Sequence, residues 1–292
     1  MKETISIKLF NTLKKGKEML NEESLFRVKA FVESQQVDDG SFMNKSGKSD
    51  IYYTVFGWML SYVLDIETDC KKTVSYLKQQ DILQMDLIHY AAYVRCRMIQ
   101  LLFEGGTLKL LLGSLSKTDI RSLSGFDNVP HNDINSPYTQ FIWLSLLEDT
   151  RNPVQNRDAV LASLDNYHVS GGGYSNMKDG ITAATNATVA ALSVIGQLNG
   201  YKNTDDLSYL SNIQNETGGF AATEHSPLPD ILSTATALFV LDCYNKKPEV
   251  SPEGFIDAHW LDNGGFSATL QEETSDVEYT FYGLLALGTL KN

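Results

Sequence analysis

Three stretches of the chain superimpose without a gap and decide its fold: GGYSNMKDGITAATNATVAAL (172–192), GGFAATEHSPLPDILSTATAL (218–238) and GGFSATLQEETSDVEYTFYGL (264–284). Glycine, aromatic and threonine positions each recur in them every 46 residues. The three columns are Gly172, Gly218 and Gly264, then Tyr174, Phe220 and Phe266, then Thr188, Thr234 and Thr280. Columns that share one register indicate an internal structural repeat.

Weaker copies of the same pattern precede these three stretches. They are GSFMNKSGKSDIYYTVFGWML (40–60), MDLIHYAAYVRCRMIQLL (85–102) and SPYTQFIWLSLL (136–147). The sequence therefore predicts one domain, residues 1–292, built from six units. Their anchor residues are Thr54, Tyr90, Thr139, Thr188, Thr234 and Thr280.

Each unit is predicted to contain two helices. The segment after the anchor is apolar for about ten residues, as in ATALFVLDCY (235–244), and is predicted to lie inside. The preceding segment has helical periodicity, ends in glycine and is predicted to lie outside. Such hairpins could build an open superhelix, but six of them also close a double ring. We expect an all-α fold, a closed α/α toroid (α6/α6 barrel), preceded by an amphipathic helix over residues 2–20.

Composition excludes several classes of function. The 292 residues are 42% hydrophobic, which is globular composition, and their net charge of −12 repels nucleic acid. No segment is apolar enough for a membrane span, and the N-terminus lacks the apolar stretch of a signal peptide. Three cysteines without CxxC spacing indicate neither a disulfide framework nor a thiolate zinc site. We expect a soluble, cytoplasmic protein, and the sequence indicates no oligomeric state.

The repeats resemble those of protein prenyltransferase β-subunits and of squalene and terpene cyclases, which share an α/α toroid. The resemblance rests on residues that follow the QW motif of the cyclases. One copy is Leu210, Gln214, Gly218 and Phe220, and another is Val32, Gln36, Gly40 and Phe42. The motif is structural: its glutamine bonds exposed backbone groups at a helix end and its aromatic ring packs over them. The resemblance implies the toroid and carries little information about chemistry.

At the family's catalytic positions this sequence departs from the pattern. The zinc positions of a prenyltransferase correspond to Asp230, Leu232 and Tyr279, so one ligand of three remains. The diphosphate-binding positions correspond to Glu224, Pro227 and Ala184, where a carboxylate would repel the diphosphate. The proton-donating DxDD of the cyclases corresponds to Asp230-Ile231-Leu232-Ser233. The sequence therefore indicates no metal and no cofactor.

Three columns at the starts of the inner helices are candidates for the site. Four residues before the anchors stand Asp50, Asp86, Asn135, Ala184, Asp230 and Asp276, which form either a ring of carboxylates at the cavity mouth or a set of helix N-caps. The two columns directly before the anchors are expected to face the cavity. They are Tyr53, His89, Tyr138, Ala187, Ser233 and Tyr279, and Tyr52, Ile88, Pro137, Asn186, Leu232 and Glu278. Their aromatic rings could stabilise a cation or an apolar ligand, or simply fill the centre.

Among these residues Glu278 is the candidate acid, with His89 as the partner base and Asp230 as a further catalytic carboxylate. A glutamate near a helix N-terminus is also stabilised there without any catalytic role. The candidate substrate-binding residues are Tyr53, Tyr138, Tyr279, Asp50 and Asp276.

Four functions are compatible with this pattern. The first is a metal-independent, terpene-cyclase-like enzyme that cyclises or isomerises an apolar isoprenoid- or polyketide-like molecule in the central cavity by acid–base chemistry. The second is a non-catalytic toroid that binds a ligand or another protein. The third is a zinc-dependent prenyltransferase β-like subunit. The fourth, a glycosidase-like barrel with two inward carboxylates, ranks last because sugar platforms favour more tryptophan than the three present.

Overall fold

The computed structural model describes residues 3–111 and 134–291. These residues form twelve α-helices. The six that follow the anchors make an inner ring: α3 (Ile51–Val63), α5 (Leu87–Leu111), α6 (Pro137–Asp149), α8 (Thr185–Asn199), α10 (Ile231–Cys243) and α12 (Val277–Leu290). Five make an outer layer: α2 (Glu22–Ser34), α4 (Cys70–Lys78), α7 (Arg157–Leu164), α9 (Leu207–Ile213) and α11 (Glu253–Ala258). The twelfth, α1 (Ile5–Met19), belongs to no repeat. The outer helix expected in the third unit falls outside the described residues.

The inner helices form a closed ring. Each one packs against the next along the chain, and α12 packs against α3. The outer layer closes in the same way: Gly218 sits against the backbone of Ser251, just before α11, and Gly264 sits against the backbone of Arg27 in α2. Both glycines have φ near +90° and leave no room for a Cβ, so glycine is required there for two reasons. The all-α toroid is confirmed, and the open superhelix is not the structure.

The repeated threonines hold each unit together. Thr54, Thr188, Thr234 and Thr280 are fully buried, and each hydroxyl oxygen accepts the backbone N–H of the aromatic residue of its own unit. These four N···O distances are 2.9 to 3.2 Å. A helix start and the preceding turn are thereby joined. The spacing of threonine and aromatic columns is a structural requirement of the repeat.

In the third unit the structure shifts the register by one residue. The inner helices begin three residues before their anchors at 51, 87, 185, 231 and 277, whereas α6 begins at Pro137. The residue equivalent to the anchors in the structure is therefore Gln140, one residue after Thr139. Ser136 replaces aspartate as the N-cap and accepts the Thr139 N–H. Tyr138 consequently moves into the column of Tyr52 and Glu278.

Helix α1 closes the ring at the carboxyl ends of the inner helices. Its Ile5 N–H and Ser6 hydroxyl donate to Glu148 and Asp149 at the end of α6. Gly16 lies directly against the backbone of Leu284, and Gly288 of α12 lies against the backbone of Thr12. The amphipathic helix expected over residues 2–20 is present, and its apolar face forms the floor of the toroid.

Candidate functional site

A cavity of about 230 Å³ lies in the centre of the ring. All six inner helices and Leu9 of α1 contribute to its wall, which is mostly aliphatic and aromatic. An apolar cavity of about 150 Å³ takes benzene. A cavity of this size therefore accommodates a ligand of about ten carbon atoms.

The second residue of each inner helix faces this cavity or adjoins it. Five of them line it directly: Tyr52, Ile88, Tyr138, Asn186 and Leu232. The sixth, Glu278, lies beside Tyr52 and does not itself line the cavity. Of the two columns expected to face inward, the one containing Tyr52 does so. Of the other column only Tyr138 lines the cavity, whereas Tyr53, His89 and Tyr279 do not.

Glu278 is hydrogen-bonded to Tyr52, which lines the cavity. The Tyr52 hydroxyl donates to Glu278 Oε1 at 2.6 Å, and Glu278 is only 8% exposed. Burial raises the pKa of the Glu278 carboxyl above its ordinary value, the Tyr52 hydrogen bond opposes this rise, and the charge of Asp276 adds to it. Burial also raises the pKa of Tyr52 strongly, so that its phenol stays neutral. The Glu278 carboxyl is therefore easier to protonate than an exposed glutamate, and the phenol in front of it is neutral.

Three further predicted residues surround this pair where the first and last units meet. Tyr53 packs edge-on against Tyr52, with ring centroids 5.7 Å apart. Lys45 donates to the Tyr279 hydroxyl at 3.3 Å and lies 4.5 Å from the centre of its ring. Asp276 is 5% exposed, and burial raises the pKa of its carboxyl. The structure thus brings Tyr53, Tyr279 and Asp276 together with Glu278, outside the cavity wall.

The column of aspartates caps helices. Asp50, Asp86, Asp230 and Asp276 each accept a backbone N–H from the first turn of their own inner helix, at 2.7 to 2.9 Å. Asp230 also accepts the Ser233 hydroxyl at 2.7 Å. None of these four carboxylates lines the cavity. Their shared role is the N-cap, which was one of the two interpretations of the column.

His89 does not meet Glu278 as expected. Its Nδ1 lies 2.7 Å from Asp86 Oδ1, and 45% of its side chain is exposed. It stands one residue beyond Ile88, which is the residue of α5 that enters the cavity. A rotation of about 100° per residue around the helix axis separates the two directions.

Sequence reasoning missed Arg95 of α5. Its side chain lines the cavity, and its Nε donates to Asp149 Oδ2 at 3.4 Å. Asp149 is 3% exposed and also accepts the Ser6 hydroxyl at 2.8 Å. Burial raises the pKa of Asp149, and the charge of Arg95 opposes the rise. The available signal was a cation within the apolar run of an inner helix, at a depth where an unpaired charge is costly.

The residues at the family's zinc positions do not fit a zinc ion. Asp230 is engaged in capping α10, Leu232 carries no donor, and Tyr279 is bonded to Lys45. Within residues 3–111 and 134–291, His, Cys, Asp and Glu side chains form no group of three that could hold a metal ion. Zinc binding requires three protein ligands even in an open catalytic site. The residues at these three positions therefore offer no zinc centre.

Comparison with known proteins places the chain in a protein family. The family model described as the prenyltransferase alpha-alpha toroid domain matches residues 5–85 and 131–292. Those ranges contain five of the six inner helices, while α5 with Arg95 lies in the unmatched part. A search of curated proteins finds no match. Among the described helices, none combines the length and apolarity that a bilayer crossing needs.

Proposed function

Since the chain belongs to the prenyltransferase alpha-alpha toroid family, we propose that it is a terpene-cyclase-like enzyme that acts without a metal. Its substrate is an apolar isoprenoid- or polyketide-like molecule of about ten carbons in the central cavity. The reaction is a cyclisation or isomerisation started by protonation of a double bond. The observation that carries this proposal is the buried Tyr52–Glu278 pair at the cavity wall, with 2.6 Å between its oxygen atoms.

Tyr52 contacts the ligand and Glu278 supplies the proton through it. When Glu278 is protonated, its carboxyl donates to the Tyr52 oxygen while Tyr52 passes its own hydroxyl proton to a carbon of the double bond. Tyr52 stays neutral, Glu278 becomes a carboxylate, and the positive charge moves to the ligand. The reverse transfer removes a different proton from the cation, forms a new double bond and restores both groups. The raised pKa of Glu278 supports this role, because it increases the protonated fraction near neutral pH.

Aromatic rings around the cavity suit the cation that this chemistry produces. Phe56 packs edge-on against Tyr52 and against Phe281, with ring centroids 5.1 Å apart in both pairs. Tyr282 lies 5.9 Å from Phe56 and also lines the cavity. Aromatic faces attract a cation most strongly where water is excluded. Asp230 and His89 have no part in this mechanism.

The test uses ten-carbon isoprenoid probes in D₂O. Geraniol, linalool and citronellal are incubated separately with the protein, and products are analysed by gas chromatography with mass detection. We expect a product that carries deuterium on carbon for at least one probe. Its rate should fall about 100-fold in Glu278→Gln and in Tyr52→Phe. Glu224→Gln, which changes an exposed carboxylate outside the cavity, is the control and should keep the wild-type rate.

Equal rates in wild type, Glu278→Gln and Tyr52→Phe would contradict the assignment of these two residues. Absence of a deuterated product from all three probes would contradict the cyclase proposal for ligands of this size.

A second candidate is a toroid that binds the same kind of ligand without changing it. The observation that favours it is that Asp50, Asp86, Asp230 and Asp276 all cap helices. Among the described residues, this leaves Glu278 as the one carboxylate beside the cavity wall at the starts of the inner helices. Native mass spectrometry of the purified protein separates the two. A retained, unmodified apolar molecule that survives long incubation supports binding alone, whereas its conversion supports the enzyme.

A zinc-dependent prenyltransferase β-like subunit is the weakest of the alternatives. It would need stoichiometric zinc in the same mass spectrum, held by residues other than Leu232 and Tyr279.

A further inference from the structure

Arg95 places a positive group deep in the mostly apolar cavity. It stands eight residues after Leu87, the first residue of α5. At 1.5 Å per residue this is about 12 Å below the helix start. The same wall includes Ala92 of α5 and Phe141 and Ile142 of α6. A guanidinium in such surroundings needs partners for its donors.

The partners present occupy only part of the guanidinium. Nε donates to Asp149, and one terminal nitrogen donates to the Ser145 hydroxyl. A guanidinium has five N–H groups. Within residues 3–111 and 134–291, the remaining N–H groups of Arg95 have no hydrogen-bond partner. The side chain of Arg95 is 18% exposed. Asp149 and Ser145 thus hold Arg95 from one side and leave its other edge free to meet a molecule in the cavity.

Two tyrosine hydroxyls lie close to the same place. Burial raises the pKa of Tyr138 and of Tyr282, and the positive charge of Arg95 opposes the rise in both. Both tyrosines line the cavity. The cavity wall therefore holds two tyrosine hydroxyls, beside Arg95, that can also donate to a ligand.

We propose that Arg95 recognises a carbonyl or carboxylate oxygen on the ligand, so that the cavity takes an apolar molecule of about ten carbons with one such group at its inner end. This inference rests on the proposed function, because it requires an apolar ligand in the cavity. It also orients the ligand: the oxygenated end lies at Arg95 and the hydrocarbon end lies toward Tyr52 and Glu278.

Three probes with one carbon skeleton test the proposal. p-Cymene, 4-isopropylbenzaldehyde and 4-isopropylbenzoate have ten carbons each and differ in a single group: methyl, carbonyl or carboxylate. Their dissociation constants are measured by isothermal titration calorimetry at pH 7.5. We expect the aldehyde or the acid to bind wild type at least tenfold more tightly than p-cymene. In Arg95→Met/Asp149→Asn, which removes both charges of the buried pair, this advantage should disappear while p-cymene binding is retained.

A second variant keeps the test decisive if the double variant does not fold. Asp149→Asn retains Arg95 and removes its counter-charge, so the carboxylate probe should bind at least tenfold more tightly than to wild type. Unchanged affinity of this probe would overturn the proposal.

The other outcomes separate this inference from the proposed function. Equal binding of all three probes to wild type, or an advantage that survives in the double variant, overturns the role of Arg95 and leaves an apolar cavity. Failure of all three probes to bind overturns both proposals.

Discussion

The two ends of the toroid are built by different parts of the chain. At the mouth, four of the six units contribute the same buried threonine, which joins the turn of its unit to the start of the inner helix. At the floor, a single helix outside the repeats, α1, crosses the carboxyl ends of the inner helices and packs against α12 through Gly16 and Gly288. The mouth is therefore specified by a pattern that recurs. The floor depends on one close helix crossing that occurs once.

This difference predicts where a single substitution matters most. Gly16→Val should destabilise the protein by about 3 kcal/mol, because its side chain would collide with the Leu284 carbonyl group of α12. Chemical denaturation followed by circular dichroism measures the loss. Gly254→Ala in α11 is the matched control, since a Cβ there meets nothing within 4 Å. It should stabilise the protein by about 0.5–1 kcal/mol. A Gly16→Val variant as stable as wild type would mean that α1 does not close the floor.

The next largest effect is expected at the mouth. Thr234→Val keeps the shape of the side chain but leaves the buried Phe220 N–H without its acceptor, which should cost about 2 kcal/mol. Thr236→Val in the same helix is the control, because the Thr236 hydroxyl donates to the backbone carbonyls of Leu232 and Ser233 and accepts no backbone N–H from the described residues. Its cost should be below about 1 kcal/mol. Denaturant midpoints compare the two variants, and equal losses would remove the special role of the threonine column.

A smaller effect, dependent on pH, is expected at Glu278. Because burial raises its folded-state pKa, the folded chain holds a proton there at pH values where the unfolded chain has released it. Stability contributed by this group therefore falls as pH rises through the folded-state pKa. Glu278→Gln lacks the buried charge and should be more stable than wild type at pH 8, by about 1 kcal/mol. The difference should shrink as pH falls toward about 4.3. Melting temperatures between pH 4.5 and 8 test this, and a difference that grows on acidification would contradict the shift.

The smallest effect is expected at the exposed ion pair between α1 and a residue just after α3, Lys17–Asp65. Lys17 of α1 contacts Asp65, whose side chain is 76% exposed. Asp65→Asn should change the free energy of unfolding by less than about 0.5 kcal/mol, because exposed ion pairs contribute little. Asparagine also tolerates the positive φ at this position. A loss above 1 kcal/mol in the same denaturation assay would show that charge, and not the glycine crossing, holds α1 in place.

The sequence predicted the repeat, the helix pairs and the toroid because their causes are local. Recurring threonine and glycine positions and apolar runs report helix starts and buried helices directly. The register of the third unit could not be predicted this way. Thr139 fits the threonine column by residue type, and only the start of α6 at Pro137 shows that Gln140 occupies the equivalent place.

For the candidate site, the sequence determines which residue types stand at the starts of the inner helices. It predicted Glu278 as the acid and Tyr138 as a substrate-binding residue. Their neighbours depend on ring closure. Tyr52 and Glu278 are 226 residues apart and meet because α12 packs against α3. Arg95 and Asp149 are 54 residues apart on adjacent inner helices. Periodicity places a residue on a helix face, but which two faces meet depends on how the helices pack. Tertiary structure alone therefore decided the acid pair, the deep guanidinium and the floor.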